Sequence, residues 1–266
     1  MLKKRILTAI VLIPLFLLIL FYLPPLSFCL FTALLTMLAG WEWSGLMGLG
    51  GRYRFLYLCC LLLALVAVFF LHPFFLLWAT LVWWLFAAFL VISYPAGVFL
   101  WRARVCQGVM GVFVLAPCWA VINQIRIGSD GLLALLILFA LIWGADSVAY
   151  FVGRKWGVHK LAPRVSPGKS IEGLIGALVF SVLLAGVVSY CLQASLKEWC
   201  AVMLLFVVTT LFSVLGDLFE SMIKRHSQVK DASQLLPGHG GFLDRIDSLT
   251  AAAPIFALGA WLLSGY

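Results

Sequence analysis

Long apolar runs follow one another along the chain, broken by short polar turns. At about 1.5 Å per residue across roughly 30 Å of hydrocarbon, a run of some twenty residues crosses a bilayer as a helix. Nine such runs predict nine spans: Ile6–Leu23, Leu26–Trp43, Tyr53–Leu71, Phe74–Ser93, Val105–Gln124, Leu132–Val152, Ile171–Ala194, Glu198–Gly216 and Ser248–Leu263. The first resembles a signal peptide, with Lys3, Lys4 and Arg5 ahead of it. No small-x-small cleavage site follows it, and Pro24-Pro25 makes a turn instead, so an uncleaved first helix is expected. His72-Pro73 reads as a tight turn, with His72 a turn residue rather than a ligand. The pattern predicts an all-α integral membrane protein, a polytopic bundle of about nine transmembrane helices. It reads as one membrane domain over residues 1–266, with spans one to five as scaffold and six to nine carrying the chemistry. No internal repeat is visible, which weakens an inverted-repeat transporter reading.

Composition narrows the class. The chain is 65% hydrophobic and only 11% charged, far from the balance of a soluble domain. Its net charge of +8 could suggest nucleic acid, but basic cytoplasmic loops explain it more simply. The seven cysteines lie in or beside apolar runs with no C-x-x-C pair, as packing cysteines do. Of the eighteen Lys and Arg, all but Arg126 and Lys197 fall on one side once the spans alternate. The positive-inside rule then places the N-terminus in the cytoplasm and the C-terminus outside. Trp41, Trp43 and Trp101 fit an interfacial aromatic belt, and Glu42 reads as an interface residue beside them.

The polar island from Leu215 to Asp247 holds Asp217, Glu220, Asp231, Asp244 and Asp247, half of the ten acids in the chain. Charge next to hydrocarbon is costly and is usually kept for function. With the orientation above, Asp146 near the inner end of span six, Lys169 and Glu172 at the start of span seven, Asp217 at the end of span eight, and Asp244 and Asp247 at the entrance to span nine share the cytosolic depth. Asp217, Glu220, Ser221 and Lys224 share one helical face, as do Asp244 and Asp247. Gathered carboxylates repel unless a cation lies between them, and an all-oxygen set suits Mg²⁺ better than Zn²⁺. Lys224, Arg225, Lys230, His239 and Arg245 surround them, the arrangement that phosphoryl or nucleotidyl transfer needs. Pro237-Gly-His-Gly-Gly241 can bring backbone N–H groups to an anion. Ser166-Pro-Gly-Lys-Ser170 is not a phosphate-binding P-loop, because Pro163 stands where the first glycine belongs. It reads as a lysine-bearing loop into span seven, with Ser170 as N-cap.

Ser221, Lys224, Arg225, Lys230, Asp231, Pro237, His239, Gly240, Gly241, Asp244, Arg245 and Asp247 match S-x-x-K-R-x-x-x-x-K-D followed by P-x-H-G-G-x-x-D-R-x-D. In this the chain resembles the phosphatidate cytidylyltransferase (CDP-diacylglycerol synthase) family. Asp146-Ser-x-Ala-Tyr150, Gly153-Arg-Lys-x-Gly157 and Ser166-Pro-Gly-Lys-Ser-x-Glu-Gly173 also match, so the likeness covers spans six to nine. The resemblance implies that CTP and phosphatidate give CDP-diacylglycerol and pyrophosphate at a cytosol-facing site, in a bacterial cytoplasmic (inner) membrane. It implies Mg²⁺, with K⁺ as an optional second cation. Asp217 and Asp244 are the first-choice metal ligands, and Asp146 and Asp247 the second. Lys169, Lys224, Arg225 and Arg245 hold phosphates, and His239 polarises a phosphate or orders its loop. Ser166, Ser221, Lys230, Gly240 and Gly241 are expected to bind substrate. CTP, phosphatidate and membrane lipid are the expected partners, with no nucleic acid and room for a homodimer. A CTP-dependent lipid kinase of the dolichol or phytol kinase type, attacking the γ-phosphorus, is the alternative. An ion-coupled transporter using Asp146 and Asp217 is a more distant one.

The topology is checked by a reporter fused after Tyr266, which is expected to read as outside the cytosol; a cytosolic signal would show that the spans are miscounted.

Overall fold

The computed structural model describes residues 14–235 and 240–263. Of the first predicted span, residues 14–23 are described, and 14–22 form helix α1. Then come α2 (Pro25–Leu46), α3 (Gly51–Phe69), α4 (Pro73–Ser93), a short 3-10 turn (Ala96–Leu100), α5 (Arg104–Ile127) and α6 (Gly131–Trp156). A small hairpin of β1 (Lys160–Ala162) and β2 (Ser166–Ser170) follows, and α7 (Ile171–Cys191), α8 (Leu196–His226) and α9 (Leu243–Leu263) complete the chain. Among the described residues, eight helices are long and apolar enough to cross a membrane. The protein is a polytopic all-α membrane bundle.

Local chemistry sets the helix starts. Pro25 and Pro73 occupy first-turn positions, where a missing N–H costs nothing. His72 caps α4, its Nδ1 accepting from the Phe74 amide at 3.3 Å, so it is a turn residue. Ser170 caps α7, its hydroxyl accepting from Gly173 N at 3.1 Å. Ser195 and Glu198 close a reciprocal capping box on α8.

Helices α5 and α9 run through the middle and are the most buried of the set. On one side lies an apolar cluster around Trp43, Trp84, Leu115 and Phe219; on the other lies one around Leu135, Leu138, Phe206 and Phe256. Helix α9 feeds both, through Ala251 and Leu258 on one face and Ala252, Ala253 and Phe256 on the other. Its closest partner is α8. There Gly216 lets the backbones meet: a Cβ at this position would lie 2.5 Å from the Asp247 carbonyl oxygen. Small residues permit such close crossings in membrane bundles, where lipid offers no hydrophobic drive to bring helices together.

Several expectations change. The spans Glu198–Gly216 and Ser248–Leu263 sit inside longer helices: α8 runs to His226 and α9 begins at Leu243, in agreement with the helical faces read for Asp217–Lys224 and for Asp244 and Asp247. Hydropathy falls where the charges start, but the helices continue because their charged side chains pair one turn apart and across the crossing. The Ser166–Ser170 segment is a strand and not a loop, paired antiparallel with β1. Trp43 and Trp101 are 0% and 2% exposed, so they belong to the core and not to an aromatic belt. Trp43 Nε1 donates to the Gln107 carbonyl at 2.9 Å, which supplies the partner a buried indole needs. Trp41 is exposed, with the Arg54 guanidinium 4.7 Å from its ring centre.

Gly216→Val is expected to lower stability by about 1–3 kcal/mol by wedging α8 from α9. Thermal unfolding in detergent measures this, and an unchanged melting temperature would mean that the crossing yields at no cost.

Candidate active site

The acids of the polar island meet acids and cations from three other elements. Lys169, at the end of β2, reaches Asp217 on α8, Nζ to Oδ2 at 2.7 Å. The other Asp217 oxygen accepts from the Ser221 hydroxyl one turn on, at 3.1 Å. Lys224, two turns beyond Asp217, pairs with Asp244 on α9 at 2.6 Å and lies 2.9 Å from Glu220 Oε1. Both Glu220 oxygens are buried, so this pair is held away from water. From α6, Asp146 accepts from the Ser248 hydroxyl of α9 at 3.3 Å. Asp146 and Asp247 each feel the charges of Asp217 and Lys169.

Asp146, Asp217, Glu220, Asp244 and Asp247 thus share Lys169 and Lys224. Neither lysine forms an ion pair with Asp146 or Asp247. The donors of this cluster are hard oxygens, a set that suits a Mg²⁺-type cation. The side chains are not gathered into a ready shell: among the described residues no three His, Cys, Asp or Glu form a metal-holding group. Asp244 is the most fully occupied of the acids. Its Oδ1 takes Lys224, and its Oδ2 accepts from Gly241 N at 2.7 Å and Ala232 N at 2.9 Å.

A second carboxylate holds the same backbone. Glu42 of α2 is 1% exposed and is no interface residue. Its Oε1 accepts from Phe242 N at 3.0 Å and from the Ser233 hydroxyl, and its Oε2 from Leu243 N at 2.6 Å. These amides open α9 and would otherwise be unpaired, so Glu42 caps that helix from across the bundle. The fit is tight. A Cβ on Gly241 would lie 2.8 Å from both Glu42 oxygens, and Gly240, at φ +82°, would bring one to 2.9 Å from Asp244 Oδ2. Sequence reasoning misplaced Glu42 because it stands near a span end between two tryptophans. The signal that could have found it is an acid inside an apolar helix.

The remaining predicted residues are spread around this centre. Arg225 donates from Nε to the Val165 carbonyl at 3.2 Å, tying α8 to the hairpin. Glu172 accepts from His159 Nδ1 at 2.7 Å and from the His159 and Val158 amides, so it clamps the hairpin and does not enter the acid cluster. Arg245 is exposed and lines an apolar cleft of about 570 Å³, together with Phe16, Phe31, Trp143, Asp146 and Ser248. Ser166 sits half-buried at the start of β2, and Lys230 is exposed. His239 lies outside the described residues.

Lysine-paired carboxylates at one end of a polytopic bundle, beside an apolar cleft, mark the class as a membrane enzyme. The chain belongs to the Cytidylyltransferase family, whose sequence profile matches residues 3–263. Among its relatives is a phosphatidate cytidylyltransferase of Pseudomonas aeruginosa, 42% identical over 98% of this chain and 97% of that protein. One from Haemophilus influenzae is 42% identical over 97% of this chain and 98% of its own. Another from Staphylococcus haemolyticus is 44% identical over 48% of each.

Glu42→Ala is expected to cut turnover by about ten- to a hundredfold, as loss of a group that supports site ligands does. Glu42→Asp should recover part of it. Activity assays on protein matched for membrane content check this, and full activity in Glu42→Ala would show that the α9 amides need no cap.

Proposed function

We infer that this chain transfers the cytidylyl group of CTP to phosphatidate, giving CDP-diacylglycerol and pyrophosphate. The observation that carries the reading is the union of the Lys169–Asp217 and Lys224–Asp244 pairs with an apolar cleft that reaches Asp146 and Arg245. The near-full-length relatives named for this activity support it.

The chemistry follows from charge. A phosphate oxygen of phosphatidate attacks the α-phosphorus of CTP, the bond to the β-phosphate oxygen breaks, and pyrophosphate leaves with that electron pair. The nucleophile is already anionic, so no strong general base is required. The barrier is the approach of two anions, which fixed cations lower by neutralising charge and setting the line of attack. Lys169 and Lys224 are held by carboxylates in the ground state and can offer their ammonium groups to phosphate oxygens. Ser221 fixes the Asp217 rotamer, and Asp244 and Glu42 fix the backbone that opens α9. Asp146, Asp217 and Asp247 would hold Mg²⁺, which when bound adds positive charge beside that of the two lysines; K⁺ is a second cation to be tested. The acyl chains fit the cleft between α1, α2, α5 and α6, with the headgroup towards Arg245. CTP is cytosolic, so the site faces the cytosol in a bacterial inner membrane.

Incorporation of radiolabelled CTP into lipid, with Mg²⁺ and K⁺ varied, tests the reading. The expected products are CDP-lipid and pyrophosphate; phosphorylated lipid with free CDP would make the protein a lipid kinase instead. Asp217→Asn is expected to abolish turnover while the protein still inserts, and near wild-type activity would remove Asp217 from the site.

A further inference from the structure

A second cavity, of about 480 Å³, opens beside the segment that leads from α8 towards α9. It falls in the range of small-ligand sites, roughly 300–1,000 Å³. Its walls are the end of α2 (Gly45–Gly48), the start of α5 with the residues before it, and the end of α8 with Ser227, Val229 and Ala232. The ionisable side chains lining it are Arg102, Arg104 and His226, with no carboxylate among them. Neither arginine side chain has an ion pair or hydrogen bond among the described residues, whereas Lys169 and Lys224 are both paired.

The start of α5 adds to this positive charge, and the ends of α2 and α8 oppose it. The first amides of α5 have no side-chain cap, and the N-terminal dipole adds to the guanidinium of Arg104. The carbonyl ends of α2 and α8 disfavour an anion, less so where their last carbonyls accept hydrogen bonds. Leu46 O accepts from the Ser227 hydroxyl, and Trp43 O, Ser44 O and Gly45 O accept from Met47, Leu49 and Gly48 amides. Ile223 O, Lys224 O and Arg225 O accept from Ser227, Val229 and Gln228 amides. The arginines are also placed: the Arg102 carbonyl takes the Gln107 side-chain amide, and a guanidinium nitrogen of Arg104 lies beside Gly48. His226 packs edge-on against buried Trp101, ring centres 4.8 Å apart.

Unpaired guanidinium groups in a concave site match phosphate, which they bind through a rigid two-pronged fork. The cavity also touches the reaction centre, because Ala232 lines it while the Ala232 amide donates to Asp244. We propose that this cavity binds phosphate groups, taking the β- and γ-phosphates of the nucleotide and then the departing pyrophosphate. The assignment to a nucleotide rests on the CTP reading above; a lipid phosphate headgroup is the other source of the same chemistry.

Isothermal titration of inorganic pyrophosphate into the full-length protein in detergent tests it without turnover. Wild type should bind, and the Arg102→Gln/Arg104→Gln double variant should bind about tenfold or more weakly, a loss near 1.4 kcal/mol. The melting temperature and the KM for phosphatidate should hold. If that variant does not accumulate, Arg102→Lys/Arg104→Lys carries the test, with about threefold weaker binding expected from loss of the fork. A parallel arm measures binding to nanodiscs of phosphatidylglycerol against phosphatidylcholine. Loss of the phosphatidylglycerol preference with pyrophosphate binding unchanged would overturn the nucleotide assignment in favour of a lipid headgroup. No change in either arm would overturn the site. A wrong product in the CTP assay would strike the function and leave this titration readable.

Discussion

Carboxylates set into an apolar bundle must be neutralised, and most of the polar architecture can be traced to that requirement. Asp146, Asp217, Glu220, Asp244 and Asp247 come from three helices, and Lys169 and Lys224 are the lysines that reach them. Breaking such a pair leaves an uncompensated charge, which is far more costly than the pair is stabilising. The helices therefore have to hold register with one another at this end. The Gly216 crossing, the long α8 and the early start of α9 are the means by which they do so.

The carboxylates divide by task. Glu42 and Asp244 spend their oxygens on the backbone at the start of α9, and Asp244 also on Lys224. Asp146, Asp217 and Asp247 are less committed to backbone partners from other segments. One set holds the backbone that opens α9; in the other, Asp217 takes Lys169 and Ser221, and Asp146 takes the Ser248 hydroxyl. That division could not be read from the motif, in which the aspartates look alike.

Hydropathy made the bundle legible because bilayer thickness imposes one length on every span. It stops short at the ends of α8 and α9, where paired charges carry a helix past its apolar run and the helical spacing of those charges is the signal that remains. It failed for Trp43 and Trp101 because an indole near a span end suits a lipid interface and a protein core equally well, and only the tertiary partner separates them. The β1–β2 hairpin left no mark, since a strand containing Pro167-Gly168 has no apolar alternation to detect. In the site, helical spacing foretold Ser221 on Asp217 and Lys224 by Glu220, both one turn apart. Lys169 on Asp217 and Asp146 near Ser248 depend on how separate helices sit side by side, and spacing along the chain is silent about that.

Lys169 differs from Lys224 in what carries it. Lys224 is carried by α8 itself and is buried there. Lys169 rides on the hairpin, which is tied down by contacts at the bundle's rim: Arg225 to Val165, and Glu172 to His159. The two pairs therefore answer to different parts of the fold: Lys169–Asp217 to how the hairpin is seated at the rim, Lys224–Asp244 to the crossing of α8 and α9.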